Sequence, residues 1–195
     1  YTKEFKAWFG DWENDPKHSS QVVDAKGYPK FVYHGVKPIY NMYGELTGHP
    51  NFSSFDIRRS SDIGTHFSSS KETASYFSKD EYGQEVIHPV YLNIRDLHRV
   101  SDWFSNVEDT ATEIFEHPLQ ELKTEGLIDA ADVKKIQALA ADVDNSGKLS
   151  DRKLRNIWGE LNRIVTSKNP ESGLVYENIW EGGGDSYVAF NPNQI

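Results

Sequence analysis

The spacing of apolar residues changes twice along this chain, and that change limits the fold more than any single motif. Up to Ile94 the apolar residues gather in short β-branched and aromatic runs: Gln21-Val22-Val23, Phe31-Val32-Tyr33, Thr65-His66-Phe67, and Val86 to Ile94. From Asp102 to Lys168 they recur three and four residues apart, as on one face of a helix. Two more strand-like runs follow, Leu174 to Ile179 and Ser186 to Phe190, joined by the glycine-rich Glu181-Gly182-Gly183-Gly184-Asp185. Strands from both ends of a chain around a helical block predict an α+β fold, with one antiparallel sheet and a helical insertion over 102–168. At 195 residues the whole fits a single domain, 1–195, with enough chain to bury a core, and there is no internal repeat.

Within that frame the local signals are specific. Thr2 caps a first helix whose Phe5, Trp8, Phe9 and Trp12 share one face, weakened by Gly10 and ended by Asn14-Asp15-Pro16. Val22-Val23 and the run ending at His34 flank Asp24-Ala25-Lys26-Gly27 and predict a hairpin. Residues 36–63 are irregular, with Phe52, Phe55 and Ile57 as anchors. A loop that long in a domain is usually functional or mobile. Ser70 is placed to cap a helix carrying Glu72, Thr73, Ala74 and Tyr76. In the helical block, Val107, Ala111, Ile114 and Phe115 mark a helix closed near Pro118. Asp129 with Asp132 opens a second, bearing Val133, Ile136, Leu139 and Ala140. Ser150 caps a third with Leu154, Ile157, Trp158, Leu161, Ile164 and Val165 inward.

Two stretches carry candidate chemistry. Phe31 to Gly35 is a strand ending on an imidazole and a glycine, compatible with a plain core strand or with a ligand contact, since the ring has polar nitrogens and glycine admits close backbone approach. Gly64-Thr65-His66-Phe67 through Tyr76 is the segment made to face it. The formal charge of −9 argues against a docking surface for nucleic acid or anionic membrane, and no apolar run approaches membrane-spanning length. With no cysteine, disulfides, thiolate chemistry and cysteine-based metal sites are excluded. The chain opens on Tyr1 rather than Met and stops just past a strand-like run, and the expectation is a piece of a longer polypeptide.

Asp142-Val143-Asp144-Asn145-Ser146-Gly147-Lys148-Leu149 matches the first eight positions of a calcium-binding EF-hand loop, with Asp142, Asp144 and Ser146 as the candidate ligands. The bidentate acid due at the twelfth position is Lys153, which removes two ligand oxygens and adds a positive charge, so a solvated turn between helices is expected. His18, His49, His88, His98 and His117 show no metal-ligand spacing.

Taken in order, the motifs resemble ADP-ribosyltransferases of the His-Tyr-Glu class, the poly-ADP-ribose polymerase and diphtheria-toxin side of that superfamily. The similarity is greatest to the ADP-ribosyltransferase domains of phage and mobile-element polyvalent proteins. It rests on Phe5 to Trp12, on Val22 to Gly35, on Gly64 to Tyr76, and on Asp185 to Ile195. The resemblance implies a split antiparallel β-sheet and NAD as substrate, with ADP-ribose passed to an acceptor after loss of nicotinamide. It further implies that His34 bonds a ribose, that the Gly35 backbone holds the nicotinamide amide, and that Tyr76 stacks on the ring. His66 and Phe67 then line the pocket, and Ser70 gives a polar contact. Two positions depart from the class: His66 stands where its second tyrosine belongs, and Ser186, preceded by Asp185, stands where its catalytic glutamate belongs. A carboxylate stabilises the positive charge that builds on the ribose, so Asp185 is the expected substitute, ahead of Glu181 and Glu177, which are off the matched position. The acceptor is expected to be protein rather than nucleic acid, in the cytoplasm of a bacterial or host cell, as for a toxin-like effector. The alternatives are an NAD glycohydrolase, an inactive NAD-binding or protein-interaction module, and a calcium-responsive helical domain.

Overall fold

The computed structural model describes residues 1–43, 45–48, 63–103, 111–143 and 148–195. A first helix, α1 (Lys3–Phe9), is capped by Thr2, whose Oγ1 accepts from the Phe5 N–H at 3.2 Å, and it stops at Gly10, short of the expected end. Its aromatic face joins a cluster with Tyr1, Trp12 and Tyr91, and Phe31 stacks on the far side of Tyr91 with ring centroids 4.2 Å apart.

Six strands form the main sheet: β1 (Val32–Val36), β4 (Thr65–Ser68), β5 (Val86–Val90), β6 (Asp96–Arg99), β7 (Ser172–Glu177) and β8 (Asp185–Ala189). Their spatial order is β5-β1-β4-β8-β7-β6, antiparallel at every pair except β6–β7. A separate two-stranded ribbon joins β2 (Ile39–Tyr40) to β3 (Leu46–Gly48). The sheet is therefore assembled from both ends of the chain, as the change of period required, and the fold is α+β.

Three expectations are corrected. The hairpin expected to join residues 21–23 to β1 is cut short. Around the turn at 24–27 it holds only the bridge Val23↔Pro29, with Asp24 N–H donating to the Tyr28 carbonyl (2.8 Å) and Lys30 N–H to the Val22 carbonyl (3.2 Å). Beyond it β1 pairs with β5, from Val32↔Val90 to Val36↔Val86. The strand foreseen over 86–94 ends at Val90, and β6 follows as a short parallel partner of β7. Pro89 is accommodated because β5 lies at the sheet edge, where a missing N–H breaks no inner ladder. The third correction concerns α3 (Ala111–Thr124), which runs through Pro118 instead of closing at it. Val107, Phe52, Phe55 and Ile57 lie outside the described residues.

Alternation along the strands sends residues to two faces. On one, Val32, Phe67, Val175, Tyr187 and Ala189 pack with Val22, Leu92 and Ile94. On the other, Leu174, Tyr176, Val188 and Phe190 form one buried cluster with Phe115, Leu119 and Leu122 of α3, Ile136 of α4 (Ala130–Ala140), and Ile157, Trp158 and Leu161 of α5 (Asp151–Lys168). The helical block thus shares its core with the sheet. Asn162 pins it there, its Nδ2 donating to the carbonyls of Ile63 (2.6 Å) and Phe190 (2.9 Å). The expected caps are present: Asp129 and Asp132 form a reciprocal capping box on α4, and Ser150 caps α5.

Candidate functional site

The site follows from a parting of strands. β1 meets β4 at Tyr33↔Ser68, and the ladder is not continued toward Val36 and Thr65, while β1 stays paired with β5 to its end. Ser69 N–H donates to the Asp185 carbonyl at 2.8 Å, so alternation turns the backbone groups of Ser68 and His66 toward β1. By the same alternation Gly35, two residues beyond Tyr33, turns its N–H and C=O into the parting. The gap between β1 and β4, with the donor and acceptor of Gly35 on its β1 side, is the candidate cleft.

His34 spans this cleft. Its Nδ1–H donates to the His66 carbonyl at 2.7 Å, and its ring tilts over Phe67 at a centroid distance of 5.2 Å. A carbonyl accepts only, so Nδ1 carries the proton and Nε2 is the acceptor of the neutral ring. Burial holds the His34 imidazole below its ordinary value; the bond to His66 opposes this, and the neighbouring His66 and His88 reinforce it. Phe67 is a core residue that supports His34 from below.

Helix α2 (Lys71–Ser78) lies directly on β1. A Cβ on Gly35 would fall 2.0 Å from the Ala74 carbonyl oxygen, so the glycine is demanded by this approach. Ser70 caps α2, its Oγ accepting from Thr73 N–H at 3.2 Å and donating to Glu72 at 3.0 Å, while its own N–H donates to the Ser68 Oγ at 3.0 Å. Tyr76, on the outer side of α2, is 68% exposed and meets Phe77 edge to face. The glycine loop closes over the start of the helix: Gly182, Gly183 and Gly184 have φ of 125°, 77° and 86°, and a Cβ on Gly184 would sit 2.9 Å from the Ser69 Oγ.

At β8 the structure separates the two candidates. Ser186 pairs with Ser68 on one side and Tyr176 on the other; it is 3% exposed, and its Oγ accepts from Asn178 at 3.5 Å. Asp185 turns to the opposite face, where its Oδ1 accepts from the Arg99 guanidinium at 3.0 Å. Burial, and then the Asp185 charge, push the Tyr187 phenol up to about 12, with Arg99 pulling the other way. His66 shares the Ser186 face, and its Nδ1 and the Tyr176 hydroxyl are hydrogen-bonded at 3.0 Å.

His34, Gly35, His66, Phe67, Ser70 and Ser186 are therefore gathered around β1, β4 and β8, with Tyr76 on the exposed helix above; the His34 ring and Asp185 share the Phe67–Tyr187 face of the sheet, and His66 and Ser186 the other. Tyr176, Asn178 and Arg99 were not singled out from the sequence. Each reads as an ordinary strand or turn residue until the register is known. Such a cleft can hold a ligand bearing both a hydroxyl for an imidazole acceptor and an amide for a backbone donor–acceptor pair. The calcium candidate fares differently: Lys153 Nζ lies 2.5 Å from the Asp142 carboxylate, and Asp144 and Ser146 are outside the described residues. Among the described residues there is no group of three or more His, Asp or Glu fit to hold a metal, and no helix is long and apolar enough to cross a membrane.

No curated protein and no solved structure matches the chain. The family model described as ADP-ribosyltransferase in polyvalent proteins matches residues 24–195, which takes in both walls of the cleft, the helical block and β8. The chain therefore belongs to the ADP-ribosyltransferase domains of polyvalent proteins.

Proposed function

We propose that this domain holds NAD in the cleft between β1 and β4, breaks the nicotinamide–ribose bond and passes ADP-ribose to a protein acceptor. The observation that carries the reading is the parting of β1 from β4, bridged by His34 Nδ1–H on the His66 carbonyl. In this reading the neutral His34 ring accepts a ribose hydroxyl at Nε2, the Gly35 N–H and C=O pair with the nicotinamide carboxamide, and Tyr76 offers its exposed ring as a stacking face. Nicotinamide leaves with the electron pair of the glycosidic bond. The acceptor's nucleophile forms the new bond to the same carbon, and its proton passes to solvent. Holding both ends of the scissile bond supplies orientation. The growing positive charge on the ribose is met by Asp185, which must first be drawn from Arg99.

That engagement of Asp185 by Arg99, with a neutral, buried Ser186 at the position of the class's glutamate, favours a second reading in which NAD is bound and its ADP-ribose goes slowly to water or stays in place. Incubation of the domain with adenylate-labelled NAD and a host lysate separates the two. Labelled protein is the expected result. Free labelled ADP-ribose supports the hydrolase, and unchanged NAD overturns turnover of either kind.

A further inference from the structure

We infer that Tyr176 is a positioning residue of the cleft: its phenolic O–H holds the His66 ring in one orientation and one tautomer. The inference rests on the NAD reading above for its consequence, since His66 forms part of the wall that would face nicotinamide. The hydroxyl lies 3.0 Å from His66 Nδ1, and the rings meet nearly edge to face at 5.9 Å and 69°. An imidazole nitrogen is a stronger acceptor than a phenol oxygen, so Tyr176 donates and the His66 proton resides on Nε2.

The reach of this contact is set by register. His66 and Leu174 both pair with Val188, and Tyr176 pairs with Ser186, so the phenol crosses β8 diagonally to meet a ring one strand beyond. Tyr176 is 5% exposed and belongs to the cluster that the three helices bury. Its own position is therefore fixed by the helical block. His66 in turn is tied at two points: its ring to Tyr176, and its carbonyl to His34. Loosening the ring loosens the residue that orients His34. A histidine in place of the tyrosine usual in the class needs such a support, because an imidazole has two ring nitrogens and two neutral forms.

The test reads the His66 ring nitrogens by ¹⁵N NMR and NAD affinity by calorimetry, in the parent, Tyr176→Phe, His66→Phe and the double variant. Tyr176→Phe is expected to convert a single Nε2–H tautomer into an exchanging mixture and to weaken NAD binding about five- to tenfold. In the His66→Phe background the same change is expected to cost less than about twofold, because its partner is gone. Unchanged ring-nitrogen signals in Tyr176→Phe, or an equal loss of affinity in both backgrounds, would overturn the inference. Should Tyr176→Phe fail to fold, the parent decides alone: an Nδ1–H tautomer at His66 overturns it, and a single Nε2–H tautomer supports it. A parent that binds no NAD sinks the cleft reading, while the ring nitrogens still decide whether Tyr176 holds His66.

Discussion

A ring that donates from Nδ1 to a backbone carbonyl presents an acceptor at Nε2 as long as it stays neutral. His34 is in that position, and burial keeps it neutral below the ordinary imidazole value of 6.5. His34→Ala is expected to weaken NAD binding by about 1–3 kcal/mol, the range for a buried hydrogen bond. In the parent, affinity should be flat from mildly alkaline pH down past 6.5 and fall only as pH drops through the lowered folded value. The sign is fixed: protonation turns Nε2 from acceptor to donor, and the stability gained from a depressed pKa is likewise lost on the acid side. Calorimetry across pH checks both, and equal affinity in the alanine variant would contradict the role. Asp185 makes a separate prediction. Asp185→Asn should slow nicotinamide release about 100-fold at nearly unchanged NAD affinity, by analogy with other preorganised charges. Arg99→Gln, which frees the carboxylate, should raise the rate or leave it unchanged; parent-like turnover in Asp185→Asn would place the charge elsewhere. The sequence exposed His34 through its strand end and Ser70 through its cap spacing. The partners Tyr176 and Arg99 were hidden, because each lies about 90 to 110 residues from the group it bonds and is brought there only by strand register.

Among the elements, α2 is the one whose placement decides the cleft. Its backbone rests on Gly35 so closely that an added methyl has no room, and the neighbour is a carbonyl rather than a flexible side chain. Gly35→Ala should therefore displace α2, destabilise the fold by about 1–3 kcal/mol, and weaken NAD binding through Tyr76 and the helix start. Thermal melts with NAD titration check this; an alanine variant with parental stability and affinity would show that the helix has slack. Helix starts were legible because capping is local: Thr2, Ser70, Asp129 and Ser150 each bond a backbone N–H two or three residues on. Strand pairing was less so. A turn at 24–27 promised a longer hairpin, yet the run after it pairs with β5 fifty or more residues away, and there Val32 is fully buried with Val22, Phe67 and Leu92. Pro118 misled for a related reason: the packing of Phe115, Leu119 and Leu122 outweighs one lost helical bond.

At the scale of the whole molecule, the helical block and the sheet stand or fall together. The sequence marked the block as a change of period but could not say whether it was an appendage. Leu174, Tyr176, Val188 and Phe190 are covered by its helices, and uncovering four such side chains costs about 1.5–3 kcal/mol each, comparable with the whole stability of a domain. Replacing residues 104–168 by a short linker is expected to yield an unfolded or aggregated chain, detected by loss of near-ultraviolet circular dichroism. A folded, NAD-binding remnant would show that the two cores are separable.

The most direct test of the cleft is a titration of NAD into the ¹⁵N-labelled domain, followed through its backbone amides. The largest shifts should fall on Gly35 and Val36, on Thr65 to Phe67, and on the first turns of α2, with the α3–α4 surface silent. Absence of shifts at saturating NAD, or shifts centred on the helical block, would contradict the assignment of the β1–β4 cleft as the NAD site.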